Sequence, residues 1–132
     1  AARRVEVSLD RLVAATDDLD RAAAELEAAR SARVAAGPVH LDDAETINAA
    51  FIALEKAWLD ERGLQDRPWS RSLYVSPDPF SGYASWMLPG LRYEIETDDP
   101  AEVPEWETRY LDAVTRLARA MDHTTALIRE TM

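Results

Sequence analysis

"FIALEKAWLDERGLQDRPWSRSLYVSPDPFSGYASWMLPGLRYEIE", Phe51–Glu96, joins two kinds of sequence in one run. Its two ends carry apolar side chains at steps of three and four, the spacing of a helix face. Between them, Tyr74–Gly90 holds three prolines, two glycines and four aromatic rings, with Asp78 as its single charged group. Loops of this length inside small domains are uncommon, and those that persist are usually functional or disordered. The ring content argues against disorder.

Working outward, the second helix is delimited by Asp42 and Glu45, read as a capping box. Its stripe is Ile47, Phe51, Leu54 and Trp58, widened by Ala50 and Ala57. Gly63 is read as its left-handed terminator, with Leu64 closing a Schellman contact. A first helix over Val7–Ala36 places Leu9, Leu12, Val13, Thr16, Leu19, Ala23 and Leu26 on one face. Ser8 serves as its expected N-cap, and Gly37-Pro38 as its stop. The last helix begins at Pro104, since proline suits a first helical turn. Trp106, Tyr110, Val114, Leu117, Met121 and Ile128 form its stripe, and Ala113, Ala118 and Ala120 fill between.

A shorter helix is expected from Pro89-Gly90, carrying Leu91, Tyr93 and Ile95. Leu73–Val75 suggests one short extended strand with no partner in view, and "TDDPAEVP" a solvated turn. The expected fold is all-α: a four-helix bundle with a long irregular loop between the second and third helices. Its 132 residues suit a single domain, residues 1–132.

The formal net charge of −10 and pI of about 4.6 disfavour nucleic-acid and membrane-surface contact. No apolar run approaches the roughly 20 residues of a membrane span. Cysteine is absent, which excludes disulfides and thiolate metal sites. The opening "AARRVEVSLD" has no initiator methionine and no apolar signal core, so a piece of a longer chain or a matured product is expected.

No zinc-protease, nucleophile-elbow, phosphate-loop or calcium-loop signature is present. His40 in a connection and His123 on a polar stretch read as surface residues. The acidic runs "TDDLD", "LDDAE" and "ETDDPAE" read as solvated faces and helix starts, not as metal ligands. The chain is thus expected to hold no catalytic residue, metal ligand or cofactor. Trp69, Tyr74, Phe80, Tyr83 and Trp86, flanked by Arg67, Arg71 and Arg92, suit either a cap on the helices or contact with a partner. Trp69, Tyr74, Phe80 and Trp86 are the contact candidates.

At Leu54-Glu55, Ala57, Gly63-Leu64, Asp66-Arg67-Pro68-Trp69, Tyr74, Tyr83-Ala84 and Pro89-Gly90 the chain resembles a known family. This is the transferrin receptor-like dimerisation domain, the C-terminal helical domain of the glutamate carboxypeptidase II (prostate-specific membrane antigen) group. Its pattern runs "GL-DRPF", a "YAP" turn, then "KYAGESFPG". The ordered match covers about Phe51 to Glu96.

The resemblance implies a homodimer contact and a parent zinc-dependent exopeptidase, with its zinc in a catalytic domain outside this chain. It implies that the loop segment Ser81, Gly82 and Tyr83 reaches the substrate pocket of the protein's own peptidase domain. It also implies an exported, periplasmic or cell-surface setting. In glutamate-specific members a lysine directly precedes the tyrosine and binds the terminal glutamate side chain. Here that position is Gly82, so a preference for terminal glutamate is not expected. The alternatives are a non-catalytic receptor or scaffold module, as in the transferrin receptor, and a free-standing interaction protein.

Overall fold

Among residues 7–97 and 100–132, which the computed structural model describes, there are four α-helices. They are α1 (Asp10–Ala35), α2 (Leu41–Leu54), α3 (Pro89–Glu96) and α4 (Val103–Glu130). Two single-turn 3-10 segments, Glu55–Trp58 and Pro100–Glu102, lie after α2 and before α4. Two short strands, β1 (Val75–Pro77) and β2 (Ser85–Met87), form an antiparallel hairpin. The architecture is all-α, with the hairpin as a minor element. Asp98 and Asp99, in the expected solvated turn and the third acidic run, lie outside the described residues, as does the start of "AARRVEVSLD".

The described residues form two compact units. One takes in residues 14–57 and 114–132, which include most of α1, all of α2 and the second half of α4. Its centre is Leu26, Ala29 and Ile128, against which Ile47, Phe51, Leu54 and Met121 pack. The expected stripes of α2 and α4 are therefore the ones that pack. The α1 stripe is rotated from expectation. Leu12, Leu19, Ala22, Leu26 and Ala29 turn inward, while Val13 and Thr16 are exposed. Alanine carries little hydrophobic signal in a sequence, but it lets helices approach closely and so sets the face that is buried.

Helix boundaries depart from the expected caps. Helix α1 starts at Asp10, two residues after Ser8. Helix α2 starts at Leu41, and its N-cap residue is His40, whose side chain makes no capping bond. Asp42 thus lies inside the first turn, where its carbonyl accepts from the Thr46 hydroxyl (3.0 Å), and the capping box is not formed. An acid there still favours the positive end of the helix dipole. The α-helix ends at Leu54, well before Gly63. Gly63 does take the left-handed conformation, at φ 72°, but within a turn closed onto the Asp60 carbonyl (3.0 Å). Leu64 makes no Schellman contact; its amide donates to the Ser70 carbonyl (3.0 Å).

The other unit comprises the described residues up to Val13 together with Trp58–Ala113. Its buried apolar side chains include Leu12, Leu64, Leu73, Trp86, Leu91, Trp106 and Tyr110. In α3, Leu91 is buried as expected, but Ile95 is exposed and Glu94 is buried in its stead. The expected strand is displaced too. Leu73 is buried and donates to the Trp58 carbonyl (2.8 Å), and pairing starts only at Val75.

Candidate functional site

Residues 58–73 make a loop folded back on itself. Its base is clasped by Leu73 N to Trp58 O and by Asp60 N to Arg71 O (2.9 Å). A buried ion pair fills it. Arg109 Nε donates to Asp60 Oδ2 at 2.9 Å and Arg109 Nη2 to the Gly63 carbonyl at 2.7 Å. Both side chains are 8% exposed. Arg62 adds bonds from its backbone amide, Nε and Nη2 to the same carboxylate. Burial opposes ionisation of Asp60, but the bonds donated by Arg62 and Arg109 outweigh it, so its carboxyl titrates well below the usual range. The Arg109 guanidinium also lies 3.8 Å from the Trp106 ring centroid, a cation–π contact.

A second set of bonds ties α3 to this base. The Tyr110 hydroxyl accepts from Gly90 N (3.0 Å), and burial pushes that phenol upward, so it stays neutral. Gln65 Nε2 donates to the Gly90 carbonyl (2.9 Å) and to Glu94 Oε1 (2.7 Å). Gly90 packs so closely on Trp106 that a Cβ there would overlap the indole. Leu88, which turns the chain from β2 into α3, is held in the left-handed region at φ 48°. Such a conformation costs a leucine roughly 1–3 kcal/mol and persists only where the surroundings fix it. Here Leu88 N donates to the Tyr74 carbonyl (2.9 Å), beside the Gly90 bonds.

On this base stands the hairpin, with Val75 opposite Met87, Ser76 opposite Trp86 and Pro77 opposite Ser85. Ser76 and Trp86 face inward, and their neighbours outward. Asp78 shapes the tip. Its carboxylate accepts from Phe80 N (2.7 Å) and the Ser81 hydroxyl (2.7 Å), which hold it below the usual range. Its amide donates to the Ala84 carbonyl (2.7 Å), and its carbonyl accepts from Gly82 N (2.8 Å). Arg67 links the preceding turn to the hairpin, donating to the Pro77 carbonyl (2.6 Å) and the Ser76 hydroxyl (3.2 Å).

The residues singled out in the sequence are thus divided. Ser81, Gly82 and Tyr83 form the tip, and Tyr83 is 97% exposed. Trp69 on the adjoining turn and Phe80 on the tip are 75% and 69% exposed. Tyr74 rests against Trp58, with ring centroids 5.3 Å apart. Trp86 is not available to a partner. It is 4% exposed, with Phe80 edge-on at 5.8 Å and the Arg92 guanidinium 4.5 Å from its centroid. Its inward position in β2 fixes this, and it fills the underside of the hairpin.

Asp60, Arg109 and Glu94 act as anchors that sequence reasoning did not identify, and Tyr110 was read as part of the α4 stripe without its bond to Gly90. Two carried a signal. Arg109 sits on the apolar face of α4 between Trp106 and Ala113, and Glu94 sits three residues after Leu91; a charge on a buried stripe implies a buried partner. His40 and His123 are exposed and stand apart from the hairpin in sequence. No group of three or more His, Cys, Asp or Glu is poised to hold a metal ion among the described residues. No helix among them is long and apolar enough to cross a membrane.

Comparison with known proteins adds two findings. One relative is vacuolar protein sorting-associated protein 70 of Saccharomyces cerevisiae, 31% identical over 61 residues. That match covers 46% of this chain and 8% of the yeast protein, so the chain spans a small part of its relative's length. The description of the transferrin receptor-like dimerisation domain matches residues 5–122. The chain therefore belongs to the transferrin receptor-like dimerisation domain family.

Proposed function

We propose that this chain is the non-catalytic helical domain of a longer zinc-dependent exopeptidase. In this reading it pairs with a second copy of itself and presents the hairpin tip to the substrate pocket of the protein's own peptidase domain. The observation that carries it is the contrast within the hairpin. Ser81–Tyr83 and the rings of Trp69 and Phe80 project into solvent, while the base beneath them is fixed by buried bonds. A rigid base and an exposed aromatic tip suit presentation to another surface, because little order has to be gained on contact. Zinc and the reacting groups belong to the peptidase domain in this reading.

Two measurements test the two halves. Sedimentation of the chain over a range of concentrations is expected to reveal a dimer, and a monomer at high concentration removes the pairing. A longer protein containing the chain is expected to hydrolyse peptides at their C-terminus, with kcat/KM reduced by Tyr83→Ala. It is also expected to cleave dipeptides with apolar C-terminal residues faster than N-acetyl-aspartyl-glutamate, because Gly82 supplies no cation. A peptidase domain without His, Asp and Glu ligands for zinc points instead to a non-catalytic scaffold.

A further inference from the structure

Resting on the proposed pairing and naming its surface, we propose that two copies of this chain meet through the outer face of α2. The two helices lie antiparallel across a two-fold axis level with residues 50 and 51, and Glu45 and Lys56 set the register. Helix α2 has apolar side chains on two sides. Ile47, Phe51 and Leu54 pack against the centre formed by Leu26 and Ile128, yet none of the 14 residues of the helix is buried. At 3.6 residues per turn, Leu41, Glu45, Asn48, Ala49 and Ile52 share the opposite side, and Lys56 continues it on the following 3-10 turn. All six are exposed, Leu41 at 68% and Ile52 at 70%. They belong to one unit of the chain.

The charges on this face select its occupant. Glu45 stands near one end and Lys56 at the other, and neither has an ion-pair partner among the described residues. Roughly 16 Å of helix separates them, so they do not meet within one chain. A second copy laid antiparallel brings them together twice. With the axis level with residues 50 and 51, Glu45 faces Lys56 of the other copy, and Lys56 faces its Glu45. A foreign helix with a uniformly basic face would match Glu45 but oppose Lys56, and an acidic one would do the reverse. An acid at one end and a base at the other make the face complementary to itself, as an isologous contact requires.

The uncharged positions agree with the same register. Ile52 falls opposite Ala49 of the other copy, and Asn48 opposite its Ala53, all four exposed in the single chain. A branched side chain set against a methyl group lets the two helices approach closely. Ile52 is then covered twice over, once from each copy, and its surface is removed from water. Asn48, the polar residue near the centre, keeps its amide at the edge of the contact, beside a side chain too small to block it.

The test is sedimentation equilibrium of the 132-residue chain and its charge-reversed variants at low salt. Glu45→Lys sets lysine against lysine at both contacts, and Lys56→Glu sets glutamate against glutamate. Each is expected to weaken the dimer about ten-fold. The two changes move the net charge in opposite directions, so a shared loss does not come from overall repulsion. The double variant restores opposite charges and is expected to recover the parent's affinity. An equal mixture of the two single variants is expected to form a heterodimer tighter than either self-pair. Circular dichroism checks that the helices persist, and recovery in the double variant separates a lost contact from a weakened helix. Reversals without effect, or losses that neither the double variant nor mixing repairs, overturn the α2 contact while a dimeric parent leaves the pairing standing. A parent that stays monomeric at high concentration removes the pairing and this face with it.

Discussion

Two arginines, one in each unit, use the same chemistry under opposite conditions. Arg21 on α1 reaches Asp18, Glu25 and Asp122 through four bonds of 2.9–3.1 Å, all at the exposed surface. Arg109 on α4 reaches one carboxylate and one carbonyl, both buried. By count Arg21 is the better connected. By consequence the order reverses, because exposed partners removed from Arg21 are rehydrated, whereas those removed from Arg109 are left without water. Arg109→Ala is expected to be the most disruptive change in the molecule, costing about 3 kcal/mol. That is the low end for a broken buried pair, since Arg62 still engages Asp60. Arg21→Ala, measured alongside by urea denaturation, should shift the midpoint far less. Equal losses would erase the distinction between the units.

The next effect in size sharpens the same contrast. The unit centred on Leu26 and Ile128 is closed by side chains of ordinary size, whereas the hairpin base depends on one close approach of backbone to ring. Gly90→Ala puts a methyl group into the Trp106 indole. Gly90 is held by the bond from its amide to Tyr110 and the bond from Gln65 to its carbonyl, and Trp106 is buried against the Arg109 guanidinium. Overpacking of this kind costs about 1–3 kcal/mol. Thermal unfolding reads the loss, and an unchanged midpoint would mean that α3 shifts freely on α4.

That contrast also explains what the sequence disclosed. Trp106, Tyr110, Val114, Leu117 and Ile128 are large, helically spaced and buried, so α4 was legible almost as it stands. The face of α1 was not, because Ala22 and Ala29 define it without a hydrophobic signal, while Val13 gives one and faces solvent. Asp42 and Glu45 fit a capping box in spacing alone, and a helix whose N-cap is His40, two residues earlier, displaces it. The hairpin partner of β1 was hidden for a different reason. Ser85-Trp86-Met87 contains one inward residue, and its register is set by the turn around Asp78, a tertiary arrangement with no periodic trace. Of the candidate site, the tip and its exposed rings were legible as a block of aromatic sequence. The anchors beneath were not, since Asp60 and Arg109 are 49 residues apart and meet only in the folded chain.

Acid provides a smaller and more selective probe. Asp60 has a folded-state pKa below its unfolded value of about 3.9, so its stabilisation is complete above that value and is lost as pH falls through the folded pKa. Stability is expected to fall with decreasing pH below about 4. Asp60→Asn should be less stable at neutral pH yet lose less on acidification. Denaturation of both proteins between neutral and strongly acidic pH checks the sign. Parallel curves would show that the slope comes from other carboxylates, among which Asp78 and Asp122 are also depressed.

The smallest expected effect on stability is the one most closely tied to function. Tyr83 is almost wholly exposed, and no internal bond to its hydroxyl accounts for its position. Its backbone is placed by Asp78, Ser81 and the Gly82 turn, none of which needs the ring. Tyr83→Ala should therefore leave the unfolding midpoint within about 0.5 kcal/mol of the parent. If the tip meets another domain, the same change should lower that domain's activity or the affinity of the contact while the fold is preserved. Stability and contact are then carried by different residues, Arg109 for the first and Tyr83 for the second. A Tyr83→Ala protein that unfolds early would show the ring supporting the fold, and the division between anchor and tip would have to be redrawn.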